Sequence, residues 1–302
     1  METDWKFIVN SKPRILVTGA SGYIGSHLVT HLFNSDKYEV HGIIKYGENE
    51  VEKYLHKKIY GDITINSVLY HLYRNNYDAI VHLAAKVSVA ESVKSPSLYY
   101  KTNVEGTINL ISTINPKNLI FASTAAAFDP VSPYALSKIM CENIIRERCN
   151  NYTIFRFFNV AGSDGTNHQV GPSTHLIRVA AEAAAGKRDQ LHLYGIDYNT
   201  PDGTCLRDYV HVLDLVDAIE KAIYNPKNTP YECLGTGKTY SCREVIDTMN
   251  KVSGKTINVI ESPRRAGDAS VLCIPNGQKS DFIECKRTLE DMCSSAYRVE
   301  LL

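Results

Sequence analysis

The sequence predicts an α/β fold built on a doubly wound parallel sheet. Five short apolar runs lack polar alternation, as expected of parallel strands that are covered on both faces. They lie at 14–19, 39–44, 79–85, 118–124 and 152–158. Amphipathic segments of helical length separate these runs, at 22–34, 66–76, 95–115 and 132–150. This strand–helix alternation predicts crossover connections that place helices on both faces of one sheet.

The composition and the pattern of predicted elements change after about residue 160. A stretch rich in Gly, Ser, Thr and His, VAGSDGTNHQVGPSTH, predicts a long loop, which is uncommon in compact domains unless it is functional. Later segments are mixed, with helices at 175–187, 213–225, 241–253 and 286–300 and strands at 191–195, 231–235 and 257–261. We expect a main domain over residues 1–160, which could also include segments around 190–225, and a smaller C-terminal α/β lobe over 161–302.

Composition excludes several classes of protein. The 302 residues include 33 Lys+Arg and 33 Asp+Glu, so no basic excess predicts a nucleic-acid or membrane-lipid partner. Eight scattered cysteines form no C-x-x-C pair and no zinc spacing, which predicts no metal site and reduced thiols. The first residues lack the apolar region of a signal peptide, and no apolar run has the ~18 residues that a membrane span needs. We expect a globular, cytoplasmic protein.

A glycine-rich loop follows the first predicted strand and opens the first predicted helix. In TGASGYIG the glycines are Gly19, Gly22 and Gly25. Glycines in this setting permit a tight turn and a close approach of the backbone to a pyrophosphate, which lies at the helix N-terminus. The loop predicts a Rossmann-like, dinucleotide-binding domain. The alternative is that these glycines only pack the helix on the strand.

The second strand ends unusually for a nicotinamide site. An acidic residue normally binds the adenosine ribose at this point, but Ile44 and Lys45 stand here instead. Lys45 could favour a 2′-phosphate, and hence NADP, or it could be an ordinary surface lysine. Asp62, at the end of the predicted third strand, could reach the adenine.

A candidate catalytic group comes from two segments. In SPYALSK, Tyr134 and Lys138 are four residues apart and share one helix face. A phenol with its usual pKa near ~10 is a poor base, but an ammonium group and a nicotinamide cation both favour the phenolate. Thr124, beside Ser123, ends a predicted strand where doubly wound sheets place their chemistry. We predict a triad in which the phenolate removes a proton from a sugar hydroxyl while the carbon loses hydride to NAD.

Motifs along nearly the whole chain resemble one protein family. They are HLAA (82–85), NVEGTINLI (103–111), RFFNVAG (156–162), THLIRVA (174–180), YGIDYNTPDGTCLRDYVHVLDLVDA (194–218) and RRAGDASVL (264–272). Together with the G-x-x-G-x-x-G loop they resemble the UDP-glucose 4-epimerase branch of the extended short-chain dehydrogenase/reductase family. The resemblance implies a homodimeric isomerase that uses NAD to interconvert UDP-glucose and UDP-galactose through a 4-keto sugar, with an NAD-binding first domain and a UDP-sugar-binding C-terminal lobe.

The resemblance also implies roles for individual residues. Tyr134 matches the base, Lys138 its ribose-binding partner and Thr124 the hydroxyl that hydrogen-bonds the substrate. The positions that match NAD contacts are Gly19, Gly22, Tyr23, Ile24, Gly25, Asp62, Ile63, Leu83, Ala84, Ala85, Asn103, Lys138 and Phe157. Those that match substrate contacts, besides Thr124 and Tyr134, are Phe158, Asn159, His175, Leu176, His192, Tyr194, Arg207, Tyr209, Arg265, Asp268 and Leu272. No metal ligand is implied.

Some features depart from the family, and alternatives stay open. Tyr134 follows Phe128, which stands where a tyrosine is common, by only six positions, fewer than is usual. Leu272 is bulky for its position, which predicts a preference for UDP-hexoses without an N-acetyl group. The alternatives are an epimerase of UDP-N-acetylhexosamines or UDP-pentoses, a nucleotide-sugar dehydratase, and a non-catalytic NAD-binding module. Ala125 and Ala126 disfavour the dehydratase, which places acidic residues there.

Overall fold

The computed structural model describes residues 11–45, 50–166, 173–265 and 268–302. Its strands are β1 Arg14–Thr18, β2 Glu39–Ile44, β3 Lys57–Tyr60, β4 Ala79–His82, β5 Leu119–Thr124, β6 Tyr152–Phe157, β7 Asn159–Ala161, β8 Leu191–Tyr194, β9 Leu206–His211, β10 Glu232–Leu234, β11 Thr239–Ser241, β12 Val259–Ser262 and β13 Val271–Leu272. Its α-helices are α1 Tyr23–Asn34, α2 Asn66–Tyr70, α3 Val89–Lys94, α4 Pro96–Tyr99, α5 Gly106–Ile114, α6 Pro133–Arg148, α7 Leu176–Ala184, α8 Val212–Tyr224, α9 Cys242–Ser253 and α10 Leu289–Glu300.

A seven-stranded parallel sheet carries the fold, in the order β10-β6-β5-β4-β1-β2-β3. Side chains alternate between its two faces. On β1, Ile15 and Val17 belong to an apolar cluster with residues of α1 and α8, whereas Leu16 belongs to a second cluster with residues of α5 and α6. The predicted doubly wound, Rossmann-like α/β fold is therefore confirmed.

The C-terminal part of the chain adds smaller sheets and a third core. Strand β9 pairs with β11, β13 and β7, and β8 pairs with β12. Helices α7, α9 and α10 enclose an apolar cluster that includes Ile177, Met249 and Met292. Strand β10 joins the main sheet instead, and α8 packs on α1, so the chain returns to the first unit after residue 211. The boundary at residue 160 stays a prediction.

Several predicted elements differ from those observed. The segment 95–115 is α4, a π-helical stretch Tyr100–Glu105 and α5, while α3 precedes it unpredicted. The segment 66–76 is only α2 followed by a 3-10 turn, which ends at Asn76 with a positive φ of 45°. Strands β7, β9, β11 and β13 were not predicted. The predicted loop begins with β7, and its residues 167–172 lie outside the described part of the chain.

Four buried histidines should make the protein sensitive to acid. Burial lowers the pKa of His27 and His41, that of His82 to about 3 and that of His211 to about 4. Between these values and ~6.5, the unfolded chain binds protons that the folded protein does not, so stability falls as the pH drops below ~6.5. We expect the free energy of unfolding by urea to be roughly 2–4 kcal/mol lower at pH 5 than at pH 7.

Two histidine variants test this prediction, one at a buried position and one, as the control, at an exposed position. His211 caps α8 by accepting a hydrogen bond from the Leu213 amide, so His211→Asn keeps a capping side chain and should reduce the difference between pH 5 and pH 7. His71 is exposed, and His71→Gln should leave the difference unchanged. Equal unfolding free energies at the two pH values in the unsubstituted protein would contradict the prediction.

Candidate functional site

The glycine-rich loop is shaped for close approach to a ligand at the start of α1. Gly19 has a φ of +68°, and a Cβ there would lie 2.8 Å from the Ala84 nitrogen. A Cβ on Gly25 would lie 2.1 Å from the Gly19 oxygen. Gly22 is the N-cap of α1, which has neither a side-chain cap nor an acidic residue in its first turn. The amides at this helix terminus therefore remain available to an anion such as a pyrophosphate.

The two residues after Gly22 serve the loop differently. The Tyr23 hydroxyl donates to the Gly162 oxygen at 2.6 Å and so connects α1 to the segment after β7. Ile24 packs against the first apolar cluster beside Leu83. Because both side chains are engaged in packing within the protein, their backbone amides are the groups suited to contact a cofactor.

The carboxyl ends of β2 and β3 meet in an ion pair. The Lys45 ammonium lies 3.3 Å from Asp62 Oδ2, and the Thr64 amide and hydroxyl both donate to Asp62 Oδ1 at 2.9 Å. Burial alone would raise the pKa of Asp62, but the hydrogen bonds from Thr64 and Lys45 outweigh it and lower the pKa. Lys45 is thus an exposed lysine paired with a carboxylate, which favours the surface interpretation over a 2′-phosphate site.

The remaining predicted cofactor residues are mostly buried. Ile63 packs under α5, where a Cβ on Gly106 would lie 2.7 Å from its Cδ1. Phe157 is buried with its ring 6.3 Å from that of Phe155. Half-buried residues follow β4 directly; they are Leu83, Ala84 and Ala85. These side chains form a floor rather than polar contacts.

Asn103 connects the loop after β4 to α6. Its Oδ1 accepts from the Lys86 amide at 2.8 Å, and its Nδ2 donates to the Lys86 oxygen at 3.1 Å and the Ser137 hydroxyl at 2.9 Å. Because the amide side chain is fully used within the protein, Asn103 positions backbone around the predicted cofactor.

The three predicted catalytic residues come together. Ser132 caps α6 by accepting from the Ala135 amide at 3.2 Å, and the helix then presents Tyr134 and Lys138 on one buried face. The Lys138 ammonium donates to the Ala122 oxygen on β5 at 2.7 Å, two residues before Thr124. The Thr124 hydroxyl in turn hydrogen-bonds the Tyr134 phenol.

The acidity of the tyrosine differs from the sequence expectation. Burial raises the pKa of Tyr134, and its hydrogen bond to Thr124 offsets only part of that effect. Burial also lowers the pKa of Lys138 to about 8. The prediction that Lys138 lowers the tyrosine pKa is wrong for this arrangement, because the ammonium is directed at the Ala122 oxygen and the buried phenol keeps its proton at neutral pH.

A second group of predicted residues surrounds β9. Arg207 is half-buried, and its Nη2 lies 3.9 Å from Asp268 Oδ1. Leu272 is opposite Arg207 in the pairing of β13 with β9. The side-chain Nδ2 of Asn159 donates to the backbone oxygen of Asp208 at 3.2 Å. Tyr209 is buried in the third apolar cluster. The Arg207 Nη1 donates to the Leu206 oxygen at 2.9 Å, and the long contact of Nη2 to Asp268 leaves the remaining part of the guanidinium for another anion.

Aromatic and basic side chains gather near β8. The Arg265 guanidinium lies 3.9 Å from the centre of the Tyr194 ring. His192 is exposed, with its ring 6.0 Å from that of Tyr194 and its Nδ1 3.0 Å from the Ser262 hydroxyl. At the start of α7, His175 is the N-cap and exposed, whereas Leu176 packs on the third cluster.

An apolar cluster connects the catalytic strand to the Arg207 strand. Ala125, which follows Thr124, packs in one group with Phe158 and Ile274, and Leu272 packs against this group. Because Leu272 is also the ladder partner of Arg207, the carboxyl end of β5 and the β9 sheet share one small core. Thr124, which ends β5, and Arg207 on β9 therefore flank one small apolar core.

Comparison with known proteins establishes the family. The model of the NAD dependent epimerase/dehydratase family matches residues 15–234. The chain belongs to this family. A UDP-glucose 4-epimerase of Azospirillum brasilense is 36% identical over 85% of this chain and 82% of its own length, and one of Streptococcus mutans is 33% identical over 92% and 93%.

Two solved structures are similar to this chain over most of its length. The chain is similar to the UDP-glucose 4-epimerase of Bifidobacterium longum in complex with NAD+ and UDP, with a TM-score of 0.86, 28% identity and coverage of 95% of this chain and 98% of that one. It is also similar to the UDP-Glc/GlcNAc 4-epimerase of Campylobacter jejuni, with a TM-score of 0.75, 35% identity and coverage of 95% and 99%.

In this epimerase/dehydratase, a buried ion pair that was not predicted supports the triad. Glu142 accepts from Arg156 Nε and Nη2 at 2.9 and 2.8 Å, and from the Ser123 hydroxyl at 2.5 Å. Glu142 is four residues after Lys138, so one stripe of α6 carries Tyr134, Lys138 and Glu142. Continuing the four-residue spacing of the YALSK motif would have found the carboxylate, but not its distant partner.

The same arginine anchors the short connection between Phe128 and Tyr134. The Arg156 guanidinium lies 4.8 Å from the centre of the Phe128 ring and 3.8 Å from that of Tyr231. The two rings meet edge to face at 5.5 Å. Phenylalanine, where the family often has tyrosine, therefore serves here as an apolar cover for a buried cation.

The described parts of the chain contain neither a metal-binding cluster nor a helix that could span a membrane. Within residues 11–45, 50–166, 173–265 and 268–302, no group of three or more His, Cys, Asp or Glu side chains could hold a metal ion. In the same residues, no helix is long and apolar enough to cross a membrane.

Proposed function

We propose that this protein catalyses NAD-dependent epimerisation at C4 of UDP-hexoses and interconverts UDP-glucose and UDP-galactose through a 4-keto sugar. The observation that carries the proposal is the buried face of α6, where Tyr134 lies beside Thr124 and Lys138 follows one turn later, with Arg207 across the apolar core that Leu272 shares with the end of β5. The relatives that bear the name UDP-glucose 4-epimerase support the same reaction.

The structure fits NAD at the start of α1. Gly19, Gly22 and Gly25 leave room for a pyrophosphate at the uncapped helix N-terminus, and Asp62 is set at the adenosine end. NAD held there would supply the hydride acceptor, and then the hydride donor, for the sugar C4. We assign the nicotinamide ribose to Lys138, which is buried beside the β5 backbone, and the positioning of the loop after β4 to Asn103, which accepts from the Lys86 amide.

Tyr134 is the acid–base group for the proton of the sugar 4-hydroxyl. Burial raises the pKa of its phenol, so Tyr134 must lose its proton before it acts as a base. The positive charge of a bound nicotinamide would favour that loss. The Thr124 hydroxyl, already bonded to the phenol, is placed to hydrogen-bond the same sugar oxygen and to keep it in line with Tyr134.

The UDP group stays anchored while the sugar turns. Guanidinium groups pair well with phosphate oxygens, and we assign the diphosphate to Arg207 and Arg265. The Tyr194 ring packs on the uracil, and Asp268 accepts hydrogen bonds from the uridine ribose. Because none of these contacts involves the hexose, the 4-keto sugar is able to rotate and present its other face to the returning hydride.

A conversion assay tests the function. Purified protein supplied with NAD and UDP-glucose should form UDP-galactose, separated by anion-exchange chromatography, until both sugars are present at equilibrium. UDP-N-acetylglucosamine serves as the comparison substrate, and the bulk of Leu272 predicts slower conversion of it. Formation of a 4-keto-6-deoxy sugar would identify a dehydratase instead, and no conversion of any UDP-sugar would favour a binding module.

Removing the Arg207 guanidinium should weaken UDP binding. Arg207→Ala is expected to cost about 2 kcal/mol or more, which is roughly 30-fold in the dissociation constant, because a half-buried charge pair with the diphosphate is lost. Calorimetric titration with UDP measures it. Arg264 is exposed and paired with Asp197, so Arg264→Ala is the matched control and should change the affinity less than about twofold. Equal affinities in both variants would show that Arg207 is structural.

NAD should bind with lower affinity than it would if a carboxylate stood at the end of β2. A missing charge-assisted hydrogen bond costs ~1.5–3 kcal/mol, or roughly 10- to 100-fold in affinity. We expect dialysed protein to be partly depleted of NAD and its activity to rise when NAD is added. NADP should substitute poorly, since Lys45 is paired with Asp62. Full NAD content after extensive dialysis, with no stimulation, would contradict this.

Two further proposals concern assembly and location. Helix α6 exposes Leu136 and Met140, and Ile108 of α5 is also exposed. Apolar side chains on neighbouring helices support a homodimer formed through α5 and α6. Eight unpaired cysteines support a reducing, cytoplasmic location.

A further inference from the structure

Two cysteines face each other at the end of the ladder between β9 and β11. The antiparallel register pairs Tyr240 with Arg207 and Ser241 with Leu206. Cys205, just before β9, and Cys242, the first residue of α9, are the residues next to this last pair. Their sulfur atoms are 3.4 Å apart, and the Cys242 amide donates to the Thr204 hydroxyl at 3.1 Å, which continues the contact beyond the last strand pair.

This geometry suits a disulfide. Residues directly opposite in an antiparallel pair, as Leu206 and Ser241 are, have Cα atoms ~4.5–5.5 Å apart, inside the ~4.4–6.8 Å that disulfides span, and the two cysteines are next to that pair. A bond length of ~2.05 Å requires the two sulfurs to approach by about 1.3 Å, which a small side-chain rotation supplies. No strand has to change its register.

The pair is also chemically distinct among the cysteines. The hydrogen bond from the Cys242 thiol and the nearby charge of Arg207 lower the pKa of Cys205 to about 7, against the opposing effect of burial. Burial raises the pKa of the thiols outside the pair, namely Cys141, Cys149, Cys233, Cys273, Cys285 and Cys293. Cys242 is only half-buried, so a small oxidant reaches the pair from its side.

We propose that Cys205 and Cys242 form a reversible intramolecular disulfide by reaction with a low-molecular-weight disulfide such as oxidised glutathione. The thiolate of the pair attacks one sulfur of the oxidant and displaces one glutathione thiolate, giving a mixed disulfide. The second cysteine, as its thiolate, then attacks the protein sulfur and releases the second glutathione. The two protein thiols lose two electrons and two protons, and oxidised glutathione becomes two molecules of glutathione thiol.

The bond is coupled to ligand binding through Arg207, and this part rests on the proposed function. Cys205 and Arg207 are two residues apart and project from the same side of the strand. A thiolate at Cys205 competes with the UDP diphosphate for the guanidinium, whereas the disulfide is neutral. The disulfide also fastens the rung next to Arg207. Both effects favour UDP, so the oxidised protein should bind it at least about threefold more tightly at pH 8.

The experiment uses the full chain with reductant removed. It is incubated with oxidised glutathione at pH 8, alkylated and digested without reduction for mass spectrometry. We expect a cross-linked peptide that joins Cys205 to Cys242, and a melting temperature higher by at least about 5 °C, restored by dithiothreitol. Cys242→Ser and Cys205→Ser should each lose the cross-link and the shift. Cys149→Ser, at an isolated thiol that ends α6, should keep both.

Each other outcome would overturn a particular part of the proposal. Stable glutathione adducts at Cys205 or Cys242, or unreacted thiols at both, would overturn the disulfide. A thermal shift that persists in Cys242→Ser would assign the effect to other cysteines. Equal UDP affinity in the two redox forms would overturn the coupling to Arg207. Absence of UDP binding in both forms, with the cross-link present, would refute the proposed function and the coupling while leaving the disulfide established.

Discussion

Replacing Tyr134 by phenylalanine is expected to slow sugar interconversion at least ~100-fold, the range for losing a positioned acid–base group. The substitution removes one oxygen from a buried ring, so the fold and the UDP affinity should be unchanged. The measurement is the turnover number for UDP-galactose with NAD in excess, together with calorimetric titration of UDP.

Tyr99→Phe is the matched control. The Tyr99 ring lies 6.4 Å from that of Tyr134, but its hydroxyl donates to Glu91 at 2.7 Å instead of joining Thr124. We expect this variant to keep its turnover within a few-fold of the unsubstituted protein. Near-normal turnover in Tyr134→Phe, or equal losses in both variants, would remove Tyr134 from the chemistry.

The largest effect on stability is expected at Arg156. Arg156→Met keeps most of the side-chain volume but leaves the buried Glu142 with only the Ser123 hydroxyl and a 3.5 Å contact to Arg146. Breaking a buried ion pair from one side costs about 3–5 kcal/mol, because the remaining charge is uncompensated. Urea unfolding at pH 7 should show a loss of this size.

Two further variants separate charge from packing. Adding Glu142→Gln to Arg156→Met removes the unpaired charge and should recover part of the lost stability. Lys251 and Glu290 form an exposed pair, so Lys251→Ala should change the unfolding free energy by less than about 1 kcal/mol. If the double variant were as unstable as the sum of its single substitutions, Glu142 and Arg156 would not act as a pair.

The sequence predicted the main sheet well because its strands are fully buried. Continuous apolar runs such as that of β1 need no partner to be recognised. Strand β9 was missed because it carries Arg207 and Asp208, and a charged pair reads as a loop. The structure buries Asp208 by satisfying it with the Thr236 and Gly237 amides at 2.8 and 2.9 Å. Such compensation comes from another segment and cannot be read locally.

The candidate site also combines features that the sequence predicted with features that depend on tertiary packing. Spacing within one helix was enough to pair Tyr134 with Lys138, since residues four apart share a face. The direction of the tyrosine pKa was not predictable, because it depends on burial and on where the Lys138 ammonium points. The Glu142–Arg156 pair joins residues on α6 and β6, and the Cys205–Cys242 pair joins the residue before β9 to the first residue of α9. Both depend on how the chain folds back on itself.

The most direct test of the mechanism follows the C4 hydrogen. UDP-galactose is incubated with the protein and NAD in D2O, and the mixture is followed by proton NMR. We expect UDP-glucose signals to appear with the C4 proton fully retained, because the hydride taken from C4 returns to the same carbon while Tyr134 exchanges only the hydroxyl proton. Deuterium at C4, or no UDP-glucose at all, would contradict the account.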